Sequence, residues 1–302
     1  MRSLRAFILT TLFLSFSNFE VDAQDHASII LDADTGNEVD DFYALARILL
    51  EPKVNVTAVN ATHWQTSHWA VEKSMENSHR LNQQLLGEMG IKIKTNRGGA
   101  SRMYDWGDRA QHSAAAYEII EQAKDLKEGQ KLTIMAFGAL TNVASAVYIA
   151  PSIASKLKLY WLGTTYDFEK GILNKNDFNC MMDPFAINFL LFSKAELHIM
   201  PVNTAASLVF EMETVKTIFK THSLGNFLLN RWNTHLDGSR ANRVIWDLAL
   251  VNAYINPKWV EQVEIITSKD NGDRKVFYYK SIDADAMRED FFDKILAFKR
   301  PK

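Results

Sequence analysis

Short runs of β-branched and apolar residues alternate along the chain with longer stretches in which apolar positions recur every three or four residues. The first pattern reads as strands buried on both faces and the second as amphipathic helices. Strands are expected at 28–34, 54–59, 91–93, 132–136, 157–162 and 196–202. Helices are expected at 42–50, 67–86 and 110–124, in the alanine-rich stretch after Asn142, and at 184–192, 209–220, 224–235 and 245–254. A hairpin around Asn271-Gly272 is expected to join 260–266 to 275–279, and polar loops to fill 95–108 and 163–179. Strands and helices in this alternation make βαβ units, so the expected fold is α/β: an open, mainly parallel sheet with helices on both faces. Sites in such sheets lie beyond the carboxyl ends of the strands. That edge collects the acids around Asp34, the loop at His63-Trp64, the Phe137-Gly138 turn, the 163–179 loop and the loop at Asn203.

Residues 1–23 break the pattern. Arg2 and Arg5 precede a mostly apolar run at 6–16, and Val21-Asp22-Ala23 offers small residues at a cleavage position. This reads as a secretory signal peptide cut after Ala23, with a single domain at 24–302 and an exported product, periplasmic or secreted. The alternative is an apolar first helix of the fold. Cys180 stands alone, so no internal disulfide forms. The remaining composition, 47% hydrophobic with a formal charge of -2 over 302 residues, describes an ordinary globular protein. Lysines and arginines are scattered, so no nucleic-acid partner is expected, and after signal cleavage no membrane association is expected either.

The first strand ends in five acids within ten residues: Asp32, Asp34, Glu38, Asp40 and Asp41. Carboxylates this close repel unless a cation sits among them, and Ca²⁺ or Mg²⁺ is the usual occupant of an oxygen-only site. The plainer alternative gives Asp40 and Asp41 a role only at a helix N-terminus, where acids suit the dipole; it leaves Asp32 and Asp34 unexplained.

Four segments, in order, together resemble the nucleoside hydrolases, the calcium-dependent N-ribohydrolases. Asp32-Ala33-Asp34-Thr35-Gly36-Asn37-Glu38-Val39-Asp40-Asp41 is similar to the family's DxDxGxDD signature, with two extra residues before the final pair. Its Gly-Asn-Glu-Val-Asp-Asp part looks like a variant of exported bacterial relatives. Gly138-Ala139-Leu140-Thr141-Asn142 is similar to the GPLTN turn. Asp177-Phe178-Asn179 followed by Asp183-Pro184 is similar to EFN(x)₃DP, and Trp246-Asp247 stands where the family has His-Asp. The resemblance covers nearly all of the mature chain. It implies a Rossmann-like nucleoside hydrolase fold, a nucleoside or related riboside as small-molecule partner, and a homodimer or homotetramer. It makes Asp34, Asp41, Asp247 and the Phe137 carbonyl ligands of Ca²⁺, and places Asp40, Asp177, Asn179, Asp247 and Trp246 around the substrate.

The chemistry implied is attack of a metal-bound water on an oxocarbenium-like sugar, with Asp34 as the base. The leaving-group side departs from the family. Trp246 replaces a histidine, the early loop reads Ala61-Thr62-His63-Trp64, and a later one reads Arg97-Gly98-Gly99. His63 is the candidate replacement acid, and Trp246, Trp64, Tyr104 and Trp106 are candidate stacking surfaces. Two rival readings remain: a non-catalytic Ca²⁺-dependent sugar or nucleoside binder, and a haloacid-dehalogenase-like phosphatase in which Asp32 attacks phosphate.

Overall fold

In the opening strand β1 (Ser28–Ala33), Ile29, Leu31 and Ala33 turn into one apolar layer and Ile30 into the other, as alternate side chains of a strand must. The computed structural model describes residues 28–301, so the expected signal peptide lies outside the described residues. The chain continues through α1 (Asp40–Leu49), β2 (Asn55–Ala61), α2 (Ser74–Met89), β3 (Lys94–Asn96), α3 (Ala114–Asp125), β4 (Leu132–Ala136), α4 (Thr141–Ile149) and β5 (Leu157–Leu162). A small hairpin, β6 (Thr165–Asp167) and β7 (Ile172–Asn174), precedes α5 (Phe178–Met182), α6 (Pro184–Leu191), β8 (Glu196–Met200) and α7 (Val202–Ala205). Then come β9 (Val209–Glu211), α8 (Met212–Phe219), α9 (Ser223–Thr234), β10 (Asn242–Val244), α10 (Trp246–Ile255), β11 (Val260–Ile266), β12 (Lys275–Ile282) and α11 (Ala284–Ala297).

Eight strands form one sheet in the order β11-β12-β8-β5-β4-β1-β2-β3. Every neighbouring pair is parallel except the β11–β12 hairpin at the edge. Residues of α1, α10 and α11 cover one face, and residues of α3, α4 and α6 the other. A parallel sheet requires both covers, because its connections cross over its faces. The expected α/β fold is therefore present.

Several boundaries differ from the sequence reading. The strand expected at 91–93 starts at Lys94, where the register with β2 begins at Ala58; Ile91 and Ile93 pack on the core just before it. The helix expected from 67 starts at Ser74, after a left-handed Lys73 at φ 59°. The 163–179 loop contains the β6–β7 hairpin and the start of α5. Val202 begins a helix instead of ending a strand, β9 occupies the first residues of the helix expected at 209, and α11 lies beyond the elements the pattern predicts.

One buried charge ties the ends of this arrangement together. Arg47 of α1 is 1% exposed and pairs with Asp290 of α11 at 2.6 Å and with Glu51 at 3.2 Å. Asp290→Ala leaves that guanidinium with Glu51 alone in a largely buried site. The expected cost is about 3 kcal/mol, read as a lower urea midpoint at unchanged slope. No helix among the described residues is long and apolar enough to cross a membrane.

Candidate active site

The carboxyl end of β1 lies between β2 and β4, with Asp32 in register with Asn60 on one side and Ala136 on the other. Past it the chain turns sharply, Asn37 N–H donating to the Asp34 carbonyl at 3.1 Å. Gly36 sits at φ +102°, and a Cβ there would meet Leu81 and Asn77 at 2.5 and 2.8 Å. Only glycine suits both conditions. The turn delivers Asp40 and Asp41 to the first turn of α1, and Asp247 occupies the first turn of α10. These two helices pack against each other, and the Asp247 N–H donates to Asp40 Oδ2 at 3.3 Å. Both N-termini therefore bring their partial positive charge to one spot. The plain helix-terminus reading of these acids holds, and it does not exhaust their role.

Asp40, Asp41 and Asp247 each present a buried carboxylate oxygen within 4.8 Å of the others. Asp34 is the fourth member, since its charge raises the pKa of both Asp41 and Asp247. Burial, followed by repulsion from Asp40, pushes Asp34 up to about 8. Burial, followed by the charge of Glu38, takes Asp40 to about 7. Asp41 and Asp247 are raised well above the usual carboxylate range, first by burial and then by their aspartate neighbours. Asp34 Oδ2, Asp41 Oδ1 and Asp247 Oδ1 are buried without a hydrogen-bond partner. Buried anionic oxygens are seldom left so. A divalent cation with hard oxygen ligands fits this donor set.

A cavity of about 220 Å³ opens over the cluster, and its walls include Phe137, Asp177, Asn179 and Trp246 as well as the four aspartates. Asn179 donates its amide to the Phe137 carbonyl at 2.5 Å and to the Leu162 carbonyl at 2.9 Å. Those bonds fix the orientation of the amide. Asp177 caps α5: Oδ1 accepts from the Asn179 and Cys180 N–H groups, and Oδ2 from the Thr164 N–H at 2.8 Å. Both its oxygens thus already serve the backbone.

The structure gathers the residues expected on the sugar and metal side, keeps Trp246 with them, and sets His63, Trp64, Tyr104 and Trp106 apart. His63 is fully buried, with Nε2 2.9 Å from Thr141 Oγ1, and burial holds its pKa down to about 4. It does not reach the cavity and is not placed to act as an acid there. Trp64 is buried against Met182 and Ala139, whereas Tyr104 and Trp106 are exposed away from the cavity. The aromatic wall comes instead from Trp69 and Phe178, stacked at 5.3 Å and 18°, with Trp246 on the same cavity. Trp69 Nε1 donates to Asn37 Oδ1 at 3.1 Å. Trp69 falls within the helix expected at 67–86, and Phe178 is the central residue of the Asp177-Phe178-Asn179 match. Asp32 accepts from Asn142 at 2.8 Å, is fully buried and does not line the cavity. It offers no exposed nucleophile, which removes the support for the phosphatase reading.

The two extra residues of the turn also reach the cavity. Glu38 accepts from Arg243 at 2.8 Å, Arg243 pairs with Asp237 as well, and His235 Nε2 donates to the Asn37 carbonyl at 3.1 Å. The longer turn is thereby anchored to the segment leading into α10 and leaves Asp40 and Asp41 beside Asp247.

No curated protein sequence matches the chain. Among solved structures, a plant nucleoside hydrolase superposes with a TM-score of 0.70 at 16% identity, covering 90% of this chain and 99% of its own. A purine-preferring ribonucleoside hydrolase from Gardnerella vaginalis gives 0.68 at 17% identity, over 89% and 98%. An inosine-uridine preferring nucleoside hydrolase from Bacillus anthracis gives 0.65 at 19% identity, over 90% and 98%. At these identities the likeness speaks for the fold. The family model for inosine-uridine preferring nucleoside hydrolases extends over residues 29–289, from the strand that carries the acid cluster past the helix that completes it, and the chain belongs to that family.

Proposed function

We propose that the protein hydrolyses the N-glycosidic bond of a ribonucleoside or related riboside in a Ca²⁺-dependent reaction. The observation that carries this reading is that Asp34, Asp41 and Asp247 line one cavity and each keeps a buried carboxylate oxygen without a hydrogen-bond partner. Asp34, Asp41, Asp247 and the Phe137 carbonyl would hold the ion. When bound, it supplies positive charge that orients sugar hydroxyls and lowers the pKa of water.

The chain's own residues do the rest. Asp34 accepts the proton of the attacking water. Asp40, tied to the N-terminus of α10, accepts a hydrogen bond from a ribose hydroxyl. Asn179, held by two carbonyls, fixes the sugar's other edge. The surrounding carboxylates favour the positive charge that grows on the sugar as the bond breaks, in a geometry set before the substrate arrives. No covalent intermediate is needed. The leader-like segment at 1–23 supports a periplasmic or secreted setting, and a dimer or tetramer is the assembly we infer from the family resemblance.

The test is release of reducing sugar from a panel of nucleosides and aryl ribosides. Chelation is expected to lower release by at least about 100-fold, and added Ca²⁺ to restore it more fully than Mg²⁺. Tight binding of ribosides with no sugar released would overturn the hydrolase reading in favour of a binding protein.

A further inference from the structure

The cavity is well equipped around the sugar and the ion, and it lacks a proton donor for the leaving group. Among the described residues its wall carries no histidine, lysine, arginine, tyrosine or cysteine. Four of its six carboxylates belong to the cluster. Of the other two, Asp177 accepts three backbone N–H bonds and Glu38 accepts from Arg243. His63 is bonded elsewhere, and His68 packs edge-on against Trp69 at 4.4 Å without joining the wall.

A neutral nucleobase needs a proton, or something equivalent, as it departs. A ring already positive at the glycosidic nitrogen, or within its conjugated system, needs none. The wall that is present suits such a ring. Trp69, Phe178 and Trp246 offer aromatic faces, which attract flat cations through their quadrupoles. Six carboxylates and no basic side chain line the cavity, so one divalent ion together with Arg243 offsets only part of the negative charge.

We propose that the preferred substrate is a ribonucleoside with a cationic aromatic leaving group, an N-ribosylpyridinium or a 7-alkylated purine riboside. The inference rests on the N-ribohydrolase reading. In the step, water adds its oxygen to the anomeric carbon and loses one proton to Asp34. The C–N bond breaks with its electron pair passing to the ring, which leaves neutral. Ribose, the neutral heterocycle and one proton are the products. Glu38, set by Arg243, adds to the negative field on the ring.

Two measurements test this. Turnover of 7-methylguanosine and of the N-riboside of 3-carbamoylpyridinium is compared with that of guanosine, inosine and uridine. The cationic substrates are expected to exceed the neutral ones by at least about 100-fold in kcat, because a site without an acid keeps the difference in leaving ability that an acid would level. Neutral nucleosides turned over within tenfold of the cationic ones would overturn the inference while leaving the N-ribohydrolase reading intact. Separately, quenching of tryptophan fluorescence gives the Kd of N-methyl-3-carbamoylpyridinium against that of neutral 3-carbamoylpyridine. The cation is expected to bind at least about tenfold more tightly, and Glu38→Gln to shrink that preference while Glu38→Asp retains it. Equal affinities would overturn the inference whatever the turnover, and failure to cleave any riboside would instead sink the underlying reading.

Discussion

Replacing Asp34 by alanine is expected to abolish stoichiometric binding of the divalent ion and to lower riboside cleavage by at least about 1000-fold. Two roles are lost in one substitution. Asp34 Oδ2 is among the oxygens left without a partner, and it is the carboxylate proposed to accept the water's proton. The effect on stability runs the other way. Without the ion, the Asp34 carboxyl is crowded against its neighbours and raises the pKa of Asp41 and Asp247, so deleting it relieves repulsion wherever these groups ionise. In chelator the variant should melt no lower than the parent, and the gain in Tm that Ca²⁺ gives the parent should vanish. Elemental analysis of the purified variant, a melting curve with and without Ca²⁺, and sugar release check the three parts. One equivalent of retained ion would count against Asp34 as a ligand.

The sheet and the gathering of acids at the end of its first strand were legible in the sequence because the constraints on them are local. A strand buried on both faces must be apolar throughout, so 28–34 and 132–136 announced themselves. Carboxylates gathered at a strand end must answer to a cation, so Asp34, Asp40 and Asp41 could be singled out before any contact was known. The leaving-group half depends on which loops meet, and nothing local encodes that. His63 follows a strand in a polar stretch and reads as an exposed loop residue; it is buried because Thr141, from a segment 78 residues later, faces it. Trp69 reaches the cavity because α2 begins at Ser74, which leaves residues 67–73 outside the helix that periodicity predicts there. The missed α11 is different. Met287, Phe291 and Ile295 recur at helical spacing and are all buried, so its signal is present in the sequence.

Gly138→Ala tests the geometry of the cluster with its charge unchanged. A Cβ at this position would lie 2.6 Å from Asp34 Cγ and 2.8 Å from Asp34 Cβ and Oδ1, closer than non-bonded carbons approach. The turn cannot easily retreat, because the Gly138 carbonyl accepts from Trp161 Nε1 at 2.9 Å and Trp161 is buried in the sheet's apolar layer. Asp34 must therefore shift. A displacement of this size in a catalytic group costs on the order of 100-fold in rate, and crowding a packed turn costs about 1–3 kcal/mol of stability. Unlike Asp34→Ala, the alanine variant keeps all four carboxylates, so it should still bind the ion, with a weaker Kd, and recover part of its activity at high Ca²⁺. Calcium titration followed by sugar release at saturation separates the two variants. Parental kcat in Gly138→Ala would show that Asp34 has room to move without loss, and that its exact position beside the β4–α4 turn is not what the reaction depends on.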